Sequence, residues 1–212
     1  MKDYKNVMIF DHPLIRHKVA ILRNKSTGMK EFRELIEEIT TLMAYEVLKD
    51  VPTKEIEVET PLEKCKQIEI VEKSIALVPI LRAGLGMVNG IHTLLPTAKV
   101  GHIGMYRDEE TMQPKEYYCK LPDGIQNMKV IVLDPMLATG GSASAALAYL
   151  KKIGCKDITL MSVIGAPVGV SKIAEDHPDV KVFVSTLDRE LNDHCYILPG
   201  LGDAGDRLYG TK

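Results

Sequence analysis

The chain has 212 residues, of which 45% are apolar and 26% charged, with a formal net charge of −2 and a pI of about 6.3. A chain of that length and composition buries a core without staples and reads as an ordinary soluble globular protein. The near-neutral balance excludes a global basic face for nucleic acid or an anionic membrane. The opening stretch MKDYKNVMIFDHPLIRHK is interrupted by charges and by Pro13, so it has no signal-peptide core. EFRELIEEITTLMAYEVL follows, with Phe32, Leu35, Ile36, Ile39, Leu42, Met43 and Val47 on one helical face. KEIEVET alternates apolar and charged residues as a half-exposed strand does, and can pair with QIEIVE across PLEKCK.

The texture then changes. SIALVPIL is a short continuous apolar run, as expected of a strand covered on both faces. GLGMVNGIHTLL reads as a helix. AKVGHIGM, KVIVLD, DITLMSVI and VKVFVST read as further buried strands, with SASAALAYLKKIG and PVGVSKIAEDH as helices between them. This alternation predicts an α/β fold, a mostly parallel twisted sheet with helices on both faces. No linker divides the chain, so 1–212 is read as a single domain. The first sixty residues and the last twenty-five are expected to pack beside the sheet. No apolar run approaches the ~18 residues of a membrane span. Cys65, Cys119, Cys155 and Cys195 lie far apart and suit reduced thiols in a cytoplasmic chain better than a disulfide framework or zinc site.

In open sheets of this kind ligands bind beyond the carboxyl ends of the strands. VIVLDPMLATGGSASAAL therefore matters, because Thr139, Gly140, Gly141 and Ser142 sit where a strand passes into a helix. The first N–H groups of a helix lack internal partners and the helix dipole adds positive charge there, so the turn suits a phosphate monoester. It has neither the lysine of a Walker loop nor a Gly-x-Gly-x-x-Gly pattern. The bland alternative is an ordinary turn with Ser142 as N-cap. Asp134 would repel a phosphate but suits sugar hydroxyls or a metal carried by the ligand, and the combination spells a sugar phosphate. Arg82, after the SIALVPIL run and beside Gly84 and Gly86, offers a second anion contact. His12, His17, His92, His102, His177 and His194 show no triad or metal spacing and read as surface or packed residues.

VLDPMLATGGS resembles the phosphoribosyl-pyrophosphate (PRPP) motif of the type I phosphoribosyltransferases. Its Leu-Asp-Pro-Met-Leu form is similar to that of the uracil phosphoribosyltransferases. PILRAGLGM, GMYRDEET and YILPGLGDAGDRLYGTK match the same family in order, over essentially the whole chain. The resemblance implies transfer of the 5-phosphoribosyl group from PRPP to uracil, giving UMP and pyrophosphate. It implies that Asp134, Pro135, Met136, Leu137, Ala138, Thr139, Gly140, Gly141 and Ser142 cradle the 5-phosphate and ribose. Arg82 and Arg107 would hold pyrophosphate, and Ile197, Gly202, Asp203 and Ala204 would form the uracil end, with Asp203 also near PRPP. Magnesium would arrive bound to PRPP rather than in a cage of protein side chains. Relatives form dimers or larger assemblies and some are activated by GTP, so a homo-oligomer and an allosteric GTP site are implied as well. The fold implied is of the type I phosphoribosyltransferase kind, with a β-hairpin arm and a small hood from the terminal segments. One departure stands out. Many relatives outside the uracil group carry two adjacent acids where this chain has Leu133 and Asp134, so a single carboxylate serves the ribose hydroxyls.

Displacing pyrophosphate builds negative charge on the leaving group, which Arg82, Arg107 and magnesium would stabilise, and the base nitrogen attacks without a side-chain nucleophile. The glycines of YILPGLGDAG expose backbone N–H and C=O groups that can match uracil's acceptor, donor, acceptor edge. YRDEETMQPKEYYCKLPDGIQN is expected to be a hairpin arm that closes over PRPP, with Asp108, Glu109 and Glu110 on its solvated face. Three rivals stand beside this reading. An RNA-binding regulator is opposed by the near-neutral charge. A purine-specific enzyme is opposed by the C-terminal motif, and a silent binding module by the intact LDPMLATGGS and Arg82.

Overall fold

The computed structural model describes residues 4–71, 74–107 and 114–211, without the side chains of 106, 107 and 114–116. A short strand β1 (Val7–Ile9) leads into α1 (Pro13–Arg23), where Pro13 takes the first-turn position that needs no N–H. The long helix α2 (Met29–Val47) buries Phe32, Leu35, Ile36, Ile39, Met43 and Val47, and Leu42 lies partly buried at the margin of that face. β2 (Thr53–Glu59) and β3 (Lys64–Ile70) form the expected antiparallel hairpin, with Thr53 opposite Ile70.

β4 (Ile75–Leu81) is followed by a 3-10 turn (Ala83–Met87) and α3 (Val88–His92). The single helix expected over GLGMVNGIHTLL is thus a tight turn plus a short helix. Its glycines allow approaches that a regular helix would not: a Cβ at Gly84 would lie 2.3 Å from the Leu133 carbonyl oxygen. The expected strand AKVGHIGM is likewise two pieces, β5 (Lys99–Val100) and β6 (His102–Arg107), broken at Gly101. β7 (Pro114–Lys120) returns antiparallel to β6, as an arm requires, and residues 108–113 lie outside the description. There follow β8 (Lys129–Leu133), β9 (Met136–Leu137), α4 (Gly141–Lys152), β10 (Ile158–Gly165), α5 (Pro167–Asp176) and β11 (Lys181–Leu187). β12 (Glu190–Leu191), β13 (Ile197–Leu198) and α6 (Ala204–Tyr209) complete the chain.

Among the described residues the main sheet has nine strands in the order β1-β11-β10-β8-β4-β6-β7, with β5 beside β4 and β9 beside β10. All its pairs are parallel except β6 with β7. Successive residues of a strand point to opposite faces, and both faces are covered. Ile131 and Leu133 of β8 join the core beneath α1, α2, α3 and α6, while Val130 and Val132 join the core beneath α4 and α5. Continuous apolar runs are the consequence. One expectation needs correcting: the first sixty residues do not only pack beside the sheet. β1 enters it as an edge, Val7 pairing with Val182, and its three-residue length was too short to signal itself among charges. The remaining terminal segments do meet in a hood. Arg207 of α6 donates to the carbonyls of Leu22, Asn24 and Thr27 and lies 4.3 Å over the Phe32 ring. No described helix is long and apolar enough to cross a membrane.

The chain leaves β4 toward β6 on one side and returns to β8 on the other. The carboxyl ends of β4 and β8 therefore flank the point where strand order reverses, which is where α/β sheets hold ligands.

Candidate active site

Both strand ends at this crevice carry the residues singled out from the sequence. Arg82 follows β4 through a cis Leu81–Arg82 peptide bond. Its half-exposed guanidinium reaches the Asp206 carboxylate at 3.4 Å, and its carbonyl accepts the Tyr209 hydroxyl at 3.1 Å. Arg82 is thereby tied to α6, a contact the sequence did not signal. Asp134 follows β8, with its N–H bonded to the Met161 carbonyl. Part of the residue remains exposed, but its carboxyl is crowded by protein, and that desolvation raises its pKa to about 6 against a single weak helper, the Met136 N–H at 3.3 Å.

The next residues are laid along β10. The Pro135 carbonyl accepts the N–H groups of Val163 and Ile164, and the Leu137 carbonyl accepts that of Ala166. Gly140 has φ +78 and is the N-cap of α4, with no side-chain cap, so Ser142 lies inside the helix rather than capping it. The Thr139 hydroxyl accepts the Gly141 N–H at 3.4 Å. Beneath the turn lies a residue that motif reading missed. Gly169 of α5 comes so close that a Cβ there would sit 2.3 Å from the Ala138 carbonyl oxygen and 2.8 Å from that of Leu137.

The C-terminal motif arrives at the same edge. Asp203 caps α6 by accepting the Asp206 N–H at 2.9 Å. Ile197 and Ala204 are buried, Gly200 and Gly202 have positive φ, and Leu198–Pro199 is cis. The N–H of Ala204 meets the Met136 sulfur at 3.3 Å, joining the two motifs directly. A depression of about 320 Å³ is lined by Met136, Ala138, Thr139, His194, Cys195, Tyr196, Gly202 and Asp203. His194, read from the sequence as a surface or packed residue, Cys195, read as a reduced thiol, and Tyr196, which opens the C-terminal motif, also line it; a turn that projects them here has no signal in spacing alone. The structure thus brings Met136, Ala138, Thr139, Gly202 and Asp203 around one space, with Arg82 adjoining through Asp206. Arg107 ends β6, but its side chain lies outside the described residues, as do Asp108, Glu109 and Glu110.

Two other features do not carry this chemistry. A larger cavity, about 700 Å³, lies between β1, α1 and α2 and is walled mainly by apolar groups such as Ile9, Phe10, Leu42 and Leu94, with neither Arg82 nor Asp134 nor the C-terminal motif in its lining. His177 approaches the Ser144 hydroxyl at 3.0 Å, but that hydroxyl donates to Asp176 and the ring is buried beside Lys151, which together with desolvation lowers its pKa. It is a packed histidine, as read from the sequence.

A sequence model of uracil phosphoribosyltransferases matches residues 8–211. The chain belongs to the uracil phosphoribosyltransferase family. A uracil phosphoribosyltransferase of Brevibacillus brevis is 60% identical over 206 residues, covering 97% of this chain and 99% of the relative. One from a Thermoanaerobacter species is 58% identical, covering 99% and 100%. Among solved structures, the AQ2163 protein of Aquifex aeolicus superposes with a TM-score of 0.90 at 41% identity, covering 97% of this chain and 99% of that one. An adenine phosphoribosyltransferase of Trypanosoma brucei matches with a TM-score of 0.58 at 14% identity, covering 93% and 88%, a likeness of fold alone. Family membership thus puts the chain in a known class of transferase.

Proposed function

We infer that the protein transfers the 5-phosphoribosyl group of PRPP to uracil, releasing pyrophosphate and forming UMP. The observation that supports this most is the meeting of two motifs at one sheet edge, Met136 of the strand-end loop against Ala204 of the C-terminal segment. A sugar phosphate on the first loop would be held beside a base on the second. In this reading the turn Thr139–Ser142 presents the first N–H groups of α4 to the 5-phosphate, which would displace the long Gly141 N–H contact to Thr139. Asp134 accepts from the ribose hydroxyls. Arg82 and Arg107 neutralise pyrophosphate as it leaves. Ile197, Gly202 and Ala204 read the base, and Asp203 stands between the two substrates.

Magnesium belongs to this reading as a companion of PRPP. Among the described residues no cluster of three acidic, His or Cys side chains could hold a metal, while the lone carboxylate of Asp134 suits a cation that brings its other ligands with it. When bound, the ion would neutralise charge on the diphosphate. A homo-oligomer, activation by GTP and a cytoplasmic location are proposed from the family resemblance. Incubating the protein with PRPP, magnesium and each nucleobase tests the activity. UMP from uracil, with no nucleotide from adenine or guanine, is the expected result. Equal turnover of a purine would overturn it.

A further inference from the structure

We infer that Arg23 and Asp188 are positioning residues for the nucleobase loop, an inference that rests on the reading of residues 197–204 as the uracil end. That loop has to hold backbone groups in a fixed pattern, yet little of it is regular. β13 pairs with β12 over only two residues, and two positive-φ glycines and a cis proline bond follow. Gly200 turns so tightly that a Cβ there would lie 2.0 Å from the Ile197 carbonyl oxygen.

The loop is held from behind by a buried ion pair. Asp188 follows β11 with its side chain 2% exposed, and Arg23 stands in the last turn of α1. Both arginine Nη atoms engage the carboxylate, Nη1 at 2.8 Å from Oδ2 and Nη2 against Oδ1. The same pair takes both backbone groups of Gly200. Its N–H donates to Asp188 Oδ2 at 2.9 Å, and its carbonyl accepts Arg23 Nη1 at 2.7 Å. The next carbonyl, that of Leu201, accepts Arg207 Nη1 at 2.8 Å. The carbonyls of Gly200 and Leu201 are thus drawn toward the N-terminal helices, while Gly202 and Asp203 line the depression.

A forked, two-point pair fixes orientation as well as distance. A buried ion pair adds little net stability over an apolar replacement, so its use here suits placement of the loop. A shift of about an ångström at a substrate-reading group costs up to ~100-fold even when the change is remote from the reacting atoms.

The test is steady-state kinetics on the intact protein with each substrate varied in turn. The variants are Arg23→Ala, Arg23→Lys, Asp188→Asn, the Arg23→Ala/Asp188→Asn double and, as a probe of the loop's own face, Gly202→Val. Arg23→Ala and Asp188→Asn should raise the KM for uracil roughly ten- to a hundred-fold. The KM for PRPP should rise much less, within about threefold, since Asp203 is the one group of this loop placed near PRPP and its cap on α6 holds it apart from the pair. The double variant should be no worse than the worse single, because the pair acts as a unit. Arg23→Lys, which keeps the charge and one donor, should fall between. Equal rises in both KM values, or a lower kcat with both unchanged, would reduce the pair to a structural role and overturn the inference. If the alanine and asparagine variants do not fold, an unchanged uracil KM in Arg23→Lys overturns it instead. A Gly202→Val variant with unaltered uracil KM would refute the reading of the loop itself. A raised KM in that variant alone would refute only the clamp.

Discussion

At pH 7 the carboxyl of Asp134 is ionised in surroundings that resist charge, since burial has raised its pKa from 3.8 to about 6. Between about pH 4 and pH 6 the folded protein therefore binds more protons here than the unfolded chain, so this residue's contribution to stability falls as pH rises and is constant above that window. Asp134→Asn should remove that cost and raise apo-protein stability at pH 7.5, by ~3 kcal/mol at most. The same variant should bind magnesium–PRPP more weakly, and wild-type affinity should drop as pH falls through 6. Thermal unfolding and calorimetry would check both, and a variant that is no more stable with unchanged PRPP affinity would contradict them. Ala204 poses a second test. It is the first helical residue after the Asp203 cap, a position where proline fits the backbone. Ala204→Pro thus deletes the N–H now resting on the Met136 sulfur while sparing α6. Uracil affinity should fall at least about tenfold, as for one unsatisfied group in a buried site. Ala204→Ser should lose less, with PRPP binding as the folding control. Equal losses in the two variants would show that this N–H does not read the base.

The turn proposed for phosphate is shaped by two helices, though only one was visible from its own residues. Thr139, Gly140 and Gly141 announce a strand-to-helix turn at the start of α4. Nothing in PVGVSKIAEDH announces that Gly169 must lie under it, because the contact joins segments thirty residues apart. With a Cβ at 2.3 Å from the Ala138 carbonyl, Gly169→Ala must push the loop outward. Overpacking of this kind costs ~1–3 kcal/mol in stability. The displaced loop should raise the KM for PRPP and leave that for uracil nearly as it was. Kinetics with each substrate varied would check this, and an unchanged PRPP KM would mean that the turn is not the phosphate site.

At the scale of the whole molecule one cluster of apolar side chains stays exposed. Met8, Ile9, Leu94 and the 81%-exposed Tyr45 border the cavity between β1, α1 and α2. Clustered exposure of this kind marks association surfaces more often than isolated apolar residues do. It supports the proposal of a homo-oligomer, and Tyr45→Glu with Ile9→Lys should shift the protein toward monomer. Light scattering after size exclusion, across a dilution series, would measure it. A wild-type monomer at all concentrations would refute the proposal.

The buried strands, α2 with its apolar face, the β2–β3 hairpin and the two strand-end loops were legible in the sequence, because each is written in periodicity or in consecutive turn residues. Short or glycine-broken pieces were not. β1 is three residues long, the helix read from Gly84 onward splits at Met87 and Val88 into a 3-10 turn and a short helix, and Gly101 breaks a strand that reads as continuous. Which strand ends would be neighbours was likewise undetermined, since local pattern carries no information about strand order. Only the tertiary structure set β4 beside β8, and so the strand ends that carry Arg82 and Asp134 at one edge of the sheet. It alone brought Gly169 under the turn before α4 and Met136 onto Ala204, and joined Arg23 to Asp188 across 165 positions of chain. These are contacts between residues whose types suit many surroundings, and packing selects the one that occurs.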